Sequence, residues 1–134
     1  DPECQVLMMR LGAQALDLMQ AAAEGRLADA QVNWADDHAV TIVMAADGYP
    51  GSYAKGAPIA GLEAVPGDSN SMVFHAGTAR RNGQITAAGG RVLNVTARGH
   101  TLAEAAERAY GMVGDIDFPG GFYRSDIGWR ALTK

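Results

Sequence analysis

Residues 89–118 read GGRVLNVTARGHTLAEAAERAYGMVGDIDF, and their reading decides the fold. Val92 to Ala97 is a short run of β-branched and apolar residues, preceded by Gly89-Gly90 and closed by Gly99, the pattern of a buried strand between two turns. A helix is expected directly after it. Thr101 and Glu104 stand at capping-box spacing: the hydroxyl accepts from a first-turn amide and the carboxylate reaches back to the cap's own amide. Leu102, Ala105, Ala106, Ala109, Met112, Val113 and Ile116 then recur at three- and four-residue steps, an apolar stripe that needs a sheet to cover.

Working outward, Ala39 to Ala46 (AVTIVMAA) is apolar on both faces, as in a central strand packed on two sides. Asp47 to Gly56 has the composition of a fixed turn. Ile59 to Val65 reads as a weak strand. Ser71 to His75 and Gln84 to Ala87 read as strands around a polar loop, Thr78 to Gly83, in which Arg80-Arg81-Asn82-Gly83 offers a turn. These segments give three to five strands and one long helix. The expected fold class is α+β, a small, mostly antiparallel sheet with the helix across one face.

Ahead of this unit, Gln5 to Glu24 reads as a single helix with Asp1 as cap, Pro2 at the first helical position and Gly25 at its end. Leu7, Leu11, Ala15, Leu18 and Ala22 mark its apolar face, widened by Met8 and Met19. Leu27 to Trp34 is a short helical or irregular connection. The tail, Phe118 to Lys134, is expected to be mostly loop, with Phe118, Phe122, Tyr123 and Trp129 as aromatic anchors and Arg124–Asp126 as an ion pair tying it down.

Composition narrows the function classes. The 134 residues fit one domain, or one small domain and a piece of another, and 48% are apolar. The net charge is −4 with 11 scattered basic residues, so there is no footprint for a nucleic-acid backbone. No apolar run approaches the length of a membrane span. The single cysteine, Cys4, excludes an internal disulfide and a cysteine metal cluster, and points to a reducing, cytoplasmic setting. With no histidine near it in sequence, Cys4 is not read as a nucleophile. No catalytic residue and no metal ligand is assigned.

Five segments in order, DPECQ, VMAADGYPGSYAKG, VFHAGT, GGRVLNVTARGHTLAEAAERAY and FYRSDIGWRA, resemble the C-terminal domain of the glycinamide ribonucleotide synthetases (phosphoribosylamine–glycine ligases), ATP-grasp enzymes of purine biosynthesis. The resemblance runs essentially end to end. It implies an enzyme that joins glycine to 5-phosphoribosylamine through a glycyl phosphate, using ATP with magnesium or manganese. It also implies a division into residues 1–34, the end of the ATP-grasp domain, and residues 35–134, the C-terminal domain. The family's Glu-x-Asn-x-Arg-Phe-Gly-Asp-Pro-Glu pattern meets this chain only at Asp1, so the metal ligands are expected upstream. The chain alone is expected to be inactive, to hold no ATP or metal, and to self-associate through the uncovered face of its first helix. A free-standing α+β binding module, or the C-terminal domain of another ATP-grasp ligase, are the alternatives.

The candidate substrate-binding residues are Asp1, His75, Thr78, Gly89, Gly90 and Arg91. Arg91 behind two glycines suits a phosphate: backbone amides can approach an anion there and a guanidinium binds it through two hydrogen bonds. The ordinary alternative is a Gly-Gly turn with a solvated arginine. Asp1 matches the carboxylate that related ligases set against the substrate nucleotide, and it also suits a helix cap. His75 and Thr78 either line a substrate pocket or form a hydrogen-bonded turn. Tyr49, Tyr53 and Lys55 belong to a loop that either closes one side of the cleft or packs on the core. His38 and His100 are read as surface or turn residues.

Overall fold

A computed structural model describes residues 1–133. Helices α1 (Glu3–Leu11) and α2 (Gln14–Ala23) lead into a 3-10 turn, Leu27–Asp29, and then into strand β1 (His38–Ala46). Strands β2 (Pro58–Ile59), β3 (Ser71–His75), β4 (Thr78–Arg81), β5 (Gln84–Ala87) and β6 (Arg91–Gly99) follow. Helix α3 (Leu102–Asp115), strand β7 (Gly121–Phe122) and helix α4 (Trp129–Leu132) complete the chain. The strands form an antiparallel four-stranded sheet in the order β3-β6-β1-β7 and a small three-stranded sheet in the order β2-β5-β4.

The expected α+β fold is therefore present, with more strands than the sequence reading allowed. The segment 78–83 is a hairpin and not a polar loop. Asn82 and Gly83 both have positive φ, +50° and +84°, which two-residue hairpin turns require, and Arg81 pairs with Gln84 across it. Of Ile59 to Val65 only Ile59 lies in a strand; residues 61–65 turn instead.

The main sheet has two unlike faces. Val40, Ile42 and Met44 of β1 pair with Ala97, Val95 and Leu93 of β6, and period two sends all six to one side. There they meet Ala105, Ala106, Ala109, Met112 and Val113 of α3, forming the core. Ile42, Leu93, Val95 and Ala109 are wholly inaccessible, and each large aliphatic side chain so buried contributes about 1.5–3 kcal/mol. The opposite face carries Thr41, Thr96 and Asn94, with a 2.8 Å hydrogen bond between the two threonine hydroxyls. Helix α1 lies against β1 and β6 on this side.

The cap of α3 holds as expected, with the Thr101 hydroxyl accepting from the Glu104 amide at 3.1 Å. The Glu104 carboxylate, however, accepts from the amide of His100, one residue ahead of the cap, at 2.9 Å. The single helix expected over 5–24 is two. Gly12, at φ +58°, breaks it, its amide still bonding the Met8 carbonyl, and α2 starts afresh two residues on. Of the expected apolar face, Leu7, Met19 and Ala22 are exposed. Asp1 does not cap α1; Pro2 stands at the cap with no side-chain bond. Gly25 does end α2, with the amides of Gly25 and Arg26 bonding the carbonyls of Ala22 and Ala21.

In the tail only Phe118 of the four aromatic anchors is buried; Phe122, Tyr123 and Trp129 are exposed. The Arg124–Asp126 pair exists at 2.8 and 2.5 Å but spans two residues at the surface. The tail is tied instead by the Tyr110 hydroxyl, which donates to the Arg124 carbonyl and accepts from the Ile127 amide.

Candidate functional site

Arg91 reaches the polar face of the sheet through a β-bulge. Met44 pairs with Leu93 but its neighbour Ala45 pairs with Arg91, so Val92 is the extra residue. Strict alternation would put Arg91 on the side of Leu93 and Val95, in the apolar core. The bulge inserts one position, leaves Val92 in the core and sends Arg91 to the other face. There it borders an open cleft of about 550 Å³, floored by Thr41, Val43 and Ala45 of β1. Tyr49 and Pro50 form one wall, and Phe122, Tyr123 and Arg124 another.

Asp1 comes to the same place from the start of the chain. One carboxylate oxygen accepts from the Asn94 side-chain amide at 2.7 Å, and the other lies 3.4 Å from Arg91 Nε. The rest of the Arg91 guanidinium has no partner among the described residues, and its side chain is 44% exposed. The second cleft arginine, Arg124, is bound to Asp126. That hydrogen bond holds the Asp126 carboxyl below the usual carboxylate range and raises the already high guanidinium pKa.

The two glycines before Arg91 serve close packing of the chain on itself. A Cβ on Gly90 would fall within 2.8 Å of two Tyr49 ring carbons, and Gly89 meets the Gly77 backbone. The Gly89 amide donates to the Gly77 carbonyl at 3.0 Å, so it is not directed at an anion. Behind Tyr49 stands Tyr53, 6.3 Å away between ring centroids and packed on the core. Lys55 is exposed and does not line the cleft.

Asp1, Gly90, Arg91 and Tyr49 are thus gathered at one site, with Gly89 and Tyr53 behind it. His75 and Thr78 are not part of it. His75 Nδ1 lies 2.9 Å from the Thr78 hydroxyl across the β3–β4 turn. His75 faces a second cavity of about 460 Å³ that also holds Glu63 and Arg80. Sequence reasoning missed Asn94 and the cleft position of Arg124. For Asn94 a signal existed, since asparagine is depleted in strands and this one interrupts a run of apolar and β-branched residues.

Among the described residues no three His, Cys, Asp or Glu side chains are grouped to hold a metal ion. The residues present therefore do not fit the magnesium or manganese that the family resemblance implies, and no chemical step is assigned to a metal here. No helix among the described residues is long and apolar enough to cross a membrane.

The chain is a small α+β lobe with an open cleft, bordered by an arginine whose guanidinium is engaged on its Nε side alone. The phosphoribosylglycinamide synthetase C domain model matches residues 39–130, and the chain belongs to that family. It is 53% identical over its whole length to the phosphoribosylamine–glycine ligase of Brucella melitensis and 54% identical to that of Rhizobium meliloti. To the chloroplastic enzyme of Arabidopsis thaliana it is 53% identical over 136 aligned residues. The chain covers 31% of the length of each of the two bacterial relatives and 26% of the plant one. The crystal structure of the phosphoribosylamine–glycine ligase of Thermotoga maritima superposes with a TM-score of 0.79 at 30% identity, over 94% of this chain and 30% of that one.

Proposed function

We propose that this chain is the C-terminal part of an ATP-dependent ligase that joins glycine to 5-phosphoribosylamine, giving glycinamide ribonucleotide in purine biosynthesis. The carrying observation is its 53% identity, end to end, with a ligase named for that reaction. Within it, residues 1–34 end the ATP-grasp domain and residues 35–134 form the C-terminal domain, a division supported by the family match beginning at residue 39. ATP and magnesium or manganese are held by the rest of the ligase, in the cytoplasm.

The cleft contributes binding, not bond-making. Arg91 faces the substrate phosphate with the edge of its guanidinium that Asp1 leaves open, and two parallel hydrogen bonds from that edge suit a phosphate. The exposed Leu7, Leu16 and Met19 of α1 and α2 pack against the remainder of the ligase, or against a second copy when the chain is alone. The test is Arg91→Ala in the full-length protein. KM for phosphoribosylamine rises roughly tenfold or more, the worth of one charged hydrogen-bonding group, while KM for ATP stays close to wild type. Equal, small changes in both constants refute the assignment.

A further inference from the structure

We infer that Asn94 is a positioning residue for the cleft arginine: it holds the Asp1 carboxylate, and Asp1 in turn fixes the Nε edge of Arg91. The inference rests on the phosphate-facing role proposed for Arg91.

Asn94 lies mid-strand in β6, between Val43 of β1 and Phe74 of β3, and is wholly inaccessible to solvent. Its side-chain NH₂ donates to Asp1 at 2.7 Å, a direction fixed by chemistry because a carboxylate only accepts. Its Oδ1 is buried and finds no partner among the described residues. A half-satisfied amide in a central strand weakens the fold, and an apolar side chain of the same shape would serve packing better. The one bond the Asn94 side chain does make spans 93 positions and ends on the carboxylate that touches Arg91. With Asn94 in place, the Asp1 carboxylate is held 3.4 Å from Arg91 Nε, and the arginine is steadied at the edge of the cleft. Without it, Arg91 samples more rotamers and loses that freedom only when substrate binds.

The test is Asn94→Leu in the full-length protein, a near-isosteric change that removes both the donor and the unpartnered oxygen. The expected result has opposite signs in two readouts. Thermal stability is equal to or above wild type, while KM for the phosphate-bearing amine rises roughly fivefold, with kcat and KM for ATP within about twofold. In an Asp1→Ala background, Asn94→Leu adds no further increase in KM. A fall in stability with KM unchanged overturns the inference, because the amide then serves only the fold. A KM increase that persists undiminished in the Asp1→Ala background also overturns it, because Asn94 then does not act through Asp1. If Arg91→Ala raises KM and Asn94→Leu does not, this inference alone fails; if neither does, the phosphate assignment fails with it.

Discussion

The close approach at Gly90 gives a prediction with a computable size. On the present backbone, the methyl carbon introduced by Gly90→Ala would lie 2.3 and 2.8 Å from Tyr49 ring carbons and 3.1 Å from a Tyr53 ring carbon. Ordinary carbon contact, at about 3.5–4.0 Å, exceeds the closest of these by about 1.2–1.7 Å, so the Tyr49 ring must retreat by that much. Tyr53 stands close beside it, so the retreat disturbs two rings. Overpacking of this kind costs about 1–3 kcal/mol, and removing a glycine's freedom from the unfolded chain offsets about 0.4–1 kcal/mol. The net loss is about 1–2 kcal/mol, a Tm lower by roughly 4–7 °C for a chain of this length. Gly111 is the control. It is exposed in α3, with nothing within 4 Å of where its Cβ would stand, so Gly111→Ala raises Tm by about 2–4 °C. Thermal unfolding of the two variants beside the parent chain decides it. A Gly90→Ala variant that melts with or above the parent refutes the packing argument, and a Gly111→Ala variant that melts lower removes the basis of the comparison.

Two further outcomes concern the tail beside the cleft. Tyr110→Phe removes the hydroxyl that serves both the Arg124 carbonyl and the part-buried Ile127 amide, and lowers stability by about 1–2 kcal/mol. Hydrogen exchange reads it directly: the Ile127 amide exchanges faster in the variant, and an unchanged rate contradicts the role given to Tyr110. For Asp126, the Arg124 hydrogen bond lowers the folded pKa below the unfolded value. The pair's contribution is therefore complete above the unfolded carboxylate range and is lost as pH falls through the lower, folded value. Carboxyl-carbon NMR titration places Asp126 below the usual carboxylate range, and Arg124→Gln returns it there. A titration that Arg124→Gln leaves unmoved means the bond does not persist in solution.

How far the sequence disclosed this arrangement depended on the range of the interaction concerned. Helix α3 was legible almost residue for residue, because its stripe and its cap are both written within four residues. Strands β1, β3, β5 and β6 were legible for the same reason, each carrying its own apolar run. Strand β4 was not: Thr-Ala-Arg-Arg is polar, and it is a strand because β5 pairs with it across the Asn82-Gly83 turn. The break at Gly12 was obscured by an apolar pattern that continues through it. At the site, Arg91 and Tyr49 could be nominated from their local context. Their convergence with Asp1 could not, since the contact that carries it, from Asn94 to Asp1, joins the ends of the chain's first 94 residues.

The bulge explains why one strand can build both a core and a site. Along β6, Leu93, Val95 and Ala97 face α3 while Asn94, Thr96 and Arg98 face the other way, so a slip of one residue would drive an amide, a hydroxyl and a guanidinium into the apolar core. That penalty pins the register of the strand's body. Arg91 shares the parity of the core residues, and in an uninterrupted ladder it would be buried against α3 with its charge unpaired, a cost of several kcal/mol. Accommodating Val92 as the extra residue opposite Met44 and Ala45 removes that cost and exposes the guanidinium on the face where Asp1 arrives. The same apolar pairing that holds Leu93 and Val95 in the core therefore fixes where the arginine emerges, and the cleft takes its charge from the packing of the opposite face.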